Sequence, residues 1–273
     1  HYRLRSPNLV RLMGREADVS DQLMKLAERN EPSVPDPDGY HAPLEPQGRS
    51  RRYSPLTYAD ARRVAPPQSG VSLVFGSPAL GVDLVAEAIE HAVHGPLSDG
   101  KSRCLTGLAE TGADEQRLRT LLNRFAMANQ RYERLTAIEI VAVGDGTVPA
   151  RVQAAARFCA ERGARRGVTP FRVIFMFSPS PAWEWLQRGD ETADIEARLD
   201  GVVSLRHWTE GALRRRLEEQ DKIASEIHLR QLLESTGGWP ILVDEIFERS
   251  RRNPDIQAAT AEVKTELAAG GRI

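Results

Sequence analysis

Two kinds of apolar pattern alternate along the middle of this chain. Short runs rich in β-formers, Val71 to Phe75, Leu135 to Val143 and Phe171 to Phe177, predict strands buried on both faces. Elsewhere apolar residues recur at helical spacing. Leu84, Val85, Ala88, Ile89, Ala92 and Val93 predict one helix, and Val152, Ala155, Ala156 and Cys159 predict another. A further helix is expected from about Asp114 to Arg134. Val202 to Leu205 reads as a fourth strand and Lys101 to Leu108 as one more. Strands alternating with helices of this length predict βαβ units, hence an α/β fold with a parallel sheet and helices on both faces. After Thr209, a good N-cap, the pattern is helical only. Ser225 caps one helix, Gly237-Gly238 ends it, and Pro240 opens another through Ile241, Leu242, Val243, Ile246 and Phe247.

The flanks read differently. Tyr2 to Arg5 alternates like a short strand. Ser6, Pro7 and Gly14 then suit the cap, first turn and stop of a short helix. Such a pair is too small to bury a core alone. From Asn30 to Gln68 the chain is rich in Pro, Gly, Ser and charge. Pro32, Pro35, Pro37, Pro43 and Pro46 argue against regular structure there. The expected organisation is therefore the tail of an upstream domain over 1–30, a linker over 31–68, an α/β domain over 69–208 and a helical lid over 209–273. Because it begins at His1 rather than Met, the chain is expected to be a piece of a larger protein.

Composition narrows the function classes. The apolar fraction of 41% and charged fraction of 27% are ordinary for a globular chain. A formal net charge of −1 gives no global attraction to nucleic acid or to an anionic membrane. The basic cluster Arg49, Arg51 and Arg52 reads as a solvated stretch, and Arg214, Arg215 and Arg216 as the solvent face of a helix. Cys104 and Cys159 do not make a disulfide framework and are expected as buried thiols in a reducing compartment. No apolar run approaches the ~20 residues that span a bilayer, so no membrane partner and a cytoplasmic location are expected. His91 and His94 lie on one helix without a carboxylate or cysteine group to complete a metal site, and are expected at the surface. Trp183, Trp185, Trp208 and Trp239 read as core or lid anchors.

The candidate chemistry lies after the first buried strand. Gly76-Ser77-Pro78-Ala79-Leu80-Gly81 followed by a helix is the frame of a phosphate loop. In such a loop the glycines let backbone N–H groups face a phosphate at a helix N-terminus. The working motif continues with Lys, which neutralises the outer phosphates, and Ser/Thr, whose hydroxyl holds magnesium. Here those positions are Val82 and Asp83. Valine carries no charge, and aspartate brings a negative one. Asp145, after the second apolar strand, stands where a metal-orienting acid belongs. Ser178, after the third, stands where a polar residue senses the outer phosphate.

The order of these segments, from about Gly70 to Ser250, resembles the STAND branch of P-loop NTPases, signalling and defence ATPases related to the AAA+ and origin-recognition type. In that branch a Gly-x-Pro motif of the helical lid touches the adenine side of the nucleotide, and Gly238-Trp239-Pro240 matches it. The resemblance implies a nucleotide site made of Gly76, Gly81, Val82, Asp83, Asp145, Ser178, Gly238 and Pro240, present here as a relic. It also implies that the opening residues end a winged-helix domain of a preceding unit. The expected function is a catalytically degenerate module serving as a regulatory or protein-interaction scaffold. ATP with magnesium is expected to bind weakly or not at all, no catalytic residue or metal site is assigned, and the partner is another protein or a neighbouring domain. The alternatives are an ATP-dependent signalling switch, which needs a basic residue from elsewhere, and a DNA-associated winged-helix ATPase fragment.

Overall fold

The computed structural model describes residues 41–44, 53–94, 102–104, 116, 120, 136–143, 148–165, 168–188, 192, 194–195, 197–219, 226–252 and 255–269. Two compact units emerge among them. The first is drawn from Arg62–Gly76 and Ile89–Ser204, the second from Pro35–Ala61, Ser77–Ala88 and Leu205–Ile273.

The first unit is a parallel sheet. Its strands are β3 (Gly70–Phe75), β4 (Ser102–Cys104), β5 (Thr136–Val143), β6 (Phe171–Phe177) and β7 (Gly201–Ser204). They form a five-stranded sheet in the order β4-β5-β6-β3-β7, all pairs parallel. All seven residues of β6 are buried, as a strand covered on both faces requires. One face carries Val71, Leu73, Phe75, Val141, Val173, Phe175 and Phe177, packed with Val152, Ala155 and Cys159 of α3 (Val148–Gly163) and Trp185 of α4 (Pro179–Gln187). Val74, Ile138, Ile140, Ile174 and Met176, on the other face, are buried as well. The α/β class and the parallel arrangement expected from the apolar runs therefore hold.

At the amino-terminal edge of this sheet sits a buried charge. The Arg172 guanidinium, fully buried, donates to the carbonyl oxygens of Pro66 and Gln68, to Ser72 Oγ and to the Asp200 carboxylate. Burial pushes it below its ordinary pKa, and Asp200 pulls the other way.

The second unit begins with a proline-bearing hairpin in the stretch expected to be a linker. Strands β1 (His41–Pro43) and β2 (Tyr53–Thr57) pair antiparallel, and helix α1 (Tyr58–Val64) follows at once. Proline is tolerated here because a two-stranded ribbon consists only of edges. Thr57 and Asp60 start the helix: Asp60 N–H donates to Thr57 Oγ1, and Thr57 Oγ1–H to Asp60 Oδ2. Helix α2 is Val85–His94. The carboxy-terminal helices are α5 (Glu210–Glu219), α6 (Glu226–Thr236), α7 (Pro240–Arg252) and α8 (Ile256–Ala268). Trp208, Leu213, Leu217, Leu229, Leu232, Val243, Phe247 and Val263 form their core, with Tyr53 of the hairpin. Ala212 N–H donates to Thr209 Oγ1, the expected cap, and Asp255 caps α8 through the N–H groups of Gln257 and Ala258. The expectations for Tyr2 to Gly14, for Arg49, Arg51 and Arg52, for Ser225 and for most of the 114–134 helix lie outside the described residues; 116 and 120 are helical.

Candidate functional site

In the first unit, the carboxyl edge of the sheet brings two expected site residues together. Phe75 and Phe177 are register partners, and Gly76 N–H donates to the Phe177 carbonyl at 3.1 Å. Gly76 and Ser178 thus leave adjacent strands side by side. Ser178 begins α4, yet its side chain makes no capping bond. The topology favours a ligand there. From β3 the chain runs to the far strand β4, whereas from β6 it crosses β3 to reach β7, so the direction of winding changes at β3. Open α/β sheets bind ligands outside the carboxyl ends of strands at such a point. Asp145 lies outside the described residues.

The second unit holds the rest of the glycine loop. Its path departs from the expected entry into a helix: two 3₁₀ turns, Pro78–Leu80 and Val82–Leu84, precede α2. These turns use the backbone N–H groups internally. Leu80 and Val82 donate to the Ser77 carbonyl at 2.9 and 3.2 Å, Gly81 to Pro78 at 3.0 Å and Leu84 to Gly81 at 2.9 Å. Val85 N–H donates to the Val82 carbonyl, and Pro78 has no N–H. A phosphate cradle needs those groups pointing at the ligand.

The side chains of the loop itself add no positive charge. Val82 is buried and Asp83 exposed. From Gly76 to His94 the chain carries Asp83, Glu87 and Glu90 and no lysine or arginine. Those acids are plain in the sequence and add negative charge beside the missing lysine. Among the described residues no cluster of His, Cys, Asp and Glu could hold a metal ion.

The Gly238-x-Pro240 turn belongs to the same unit as the loop, and α7, which Pro240 opens, packs against the Pro78–Leu80 turn. Gly238 has φ +73, and a Cβ there would lie 2.3 Å from the Trp208 carbonyl oxygen. Trp208 N–H donates to the Gly238 carbonyl at 2.8 Å. Both the conformation and the close approach demand glycine.

Arg216 corrects the expectation that Arg214 to Arg216 face solvent. It is 3% exposed, with its guanidinium 4.4 Å from the ring centroids of Tyr53 and Phe247 and 4.7 Å from that of Trp208. Asp244 pairs with it at 2.5 Å. Among the described residues, its Nε and Nη1 groups have no hydrogen-bond partner, and they lie among the rings. The signal was present in the sequence: Ala212, Leu213, Arg216 and Leu217 share one helical stripe. His41 stacks on Trp208 at 5.2 Å, so the hairpin is tied into the same cluster.

No protein-family model matches this chain, and no curated protein matches it. Solved structures do show similarity. The ORC2 protein of Aeropyrum pernix, in ADPNP–ADP complexes, is 13% identical over 74% of this chain and 64% of its own, with a TM-score of 0.43. A Walker-type ATPase of Pyrococcus abyssi is 11% identical over 83% of this chain and 76% of its own, with a TM-score of 0.47. A RuvB mutant of Thermotoga maritima is 12% identical over 72% of this chain and 62% of its own, with a TM-score of 0.42. The chain thus spans less than two thirds of the length of the ORC2 and RuvB proteins.

Proposed function

We propose that this chain is a P-loop NTPase-type module whose nucleotide chemistry has lapsed and which serves a larger protein as a regulatory or protein-interaction scaffold. The carrying observation is the glycine loop. It stands after the strand at which the winding of the sheet reverses, yet the N–H groups of Leu80, Gly81, Val82 and Leu84 are bonded to its own carbonyls. The two positions that chemistry requires hold a buried valine and an exposed aspartate. Losing one charge-assisted contact costs about 1.5–3 kcal/mol, or roughly ten- to a hundredfold in affinity. Here the lysine and the hydroxyl are absent from those positions, and four amides of the loop are bonded internally. The STAND assignment within this class rests on the Gly238-Trp239-Pro240 match.

Isothermal titration with ATP and magnesium tests the reading. The expected result is no heat of binding at cellular nucleotide concentrations. Micromolar affinity that disappears in Gly81→Glu overturns it in favour of an ATP-dependent switch.

A further inference from the structure

The core of the second unit gathers several buried hydrogen-bond donors. Among the described residues, Arg216 Nε and Nη1 and Trp208 Nε1 have no hydrogen-bond partner. Both side chains lie deep in that core, each residue 3% exposed. The Arg216 guanidinium carbon is 4.7 Å from the Trp208 ring centroid, so the donors of both side chains share one part of it. Buried N–H groups nearly always find an acceptor, in protein or in ordered water.

The surroundings define what that acceptor can be. The Tyr53 and Phe247 rings lie 4.4 Å from the guanidinium carbon, and a ring face is a weak acceptor for an N–H. The charge of Arg216 is already matched, because Asp244 pairs with its Nη2. A further anion at the same place would meet the Asp244 carboxylate at close range. The acceptor is therefore small and uncharged. It also needs a path inward. The Asp244 side chain is 40% exposed, so the pair reaches from the buried rings to solvent. Water meets each condition. Its oxygen accepts two N–H bonds at once, and buried waters characteristically bond groups that lack a protein partner.

We infer that Arg216 and Trp208 hold an ordered water molecule in the core of the second unit, with an N–H of each side chain donating to its oxygen. This site is independent of the nucleotide reading and does not rest on it.

Water-selective NOE and ROE spectroscopy on the isotope-labelled chain tests it. Trp208→Phe identifies the indole N–H signal of Trp208 by its disappearance. In wild type that signal should show a direct dipolar cross peak to water, with the sign of a water that tumbles with the protein. Arg216→Met removes the guanidinium donors and keeps an apolar chain against the rings, so the cross peak should be lost. Absence of the cross peak in wild type overturns the inference, because the ring faces then suffice; this arm decides even where Arg216→Met fails to fold. A cross peak of full strength in Arg216→Met overturns the shared site, since Trp208 then holds the water alone. A thermal midpoint that rises with chloride but not with the much larger gluconate overturns the choice of an uncharged ligand.

Discussion

The side chains of Arg172 and Asp200 meet 3.3 Å apart at the amino-terminal edge of the sheet, the arginine fully buried and the aspartate 32% exposed. The pair ties three connections together, since Arg172 also holds Pro66 and Gln68, and Asp200 accepts the Val71 N–H at 3.0 Å. Arg172→Ala leaves Ser72 Oγ and two carbonyls without their donor. It should cost about 3 kcal/mol, most of it from those orphaned groups because Asp200 can turn to water. A urea midpoint that barely moves would show that the network is dispensable.

Cys159 gives a pH-dependent expectation. Desolvation raises its thiol to about 12 from an ordinary 9.0, with Arg172 opposing. The folded thiol stays protonated where the unfolded one ionises. Its contribution is therefore complete below pH 9 and is lost as pH rises from about 9 to about 12, at roughly 1.4 kcal/mol per pH unit. Cys159→Ala should flatten the fall in stability above pH 9. Native Cys159 should resist a thiol reagent at neutral pH and react only on unfolding.

The strands β3, β5 and β6 were legible because a strand covered on both faces is a continuous apolar run. The hairpin was not, because its prolines signal a linker while its pairing comes from partners such as His41 and Thr57 that are distant in sequence. The loop shows the same limit. Gly76 and Gly81 mark the frame of a phosphate loop, but the bonds of its N–H groups to the Ser77, Pro78 and Gly81 carbonyls are encoded in no local motif. Arg216 sits between these cases. Three consecutive arginines read as a solvent face, although Arg216 shares a stripe with Ala212, Leu213 and Leu217 and is buried with them.

Gly238→Ala separates packing from ligand contact in the lid turn. The methyl would enter the space of the Trp208 carbonyl and impose a left-handed alanine. The strain alone is on the order of 1–2 kcal/mol, and the collision adds to it. Thermal unfolding should fall by several degrees with no nucleotide present. An unchanged midpoint would return Gly238 to a purely ligand-facing role.

Restoring the motif residues should not restore the chemistry. In a working loop, lysine and Ser/Thr at positions 82 and 83 add two charge-assisted contacts to a cradle that already exists. Here Val82 is 8% exposed, so a lysine in its place must either lose much of its hydration or force the turn apart. Val82→Lys/Asp83→Thr should therefore lose about 2–4 kcal/mol of stability, in the range of other buried-charge substitutions. Its gain in ATP affinity should stay far below the hundredfold or more that two contacts bring to a preformed site. Glu87 and Glu90 would still add negative charge to the helix that follows the loop. Calorimetry with ATP and magnesium, beside urea unfolding of the same variant, reads both quantities. Micromolar binding at undiminished stability would show that the loop opens freely, and would remove the self-bonded amides as the reason for its silence.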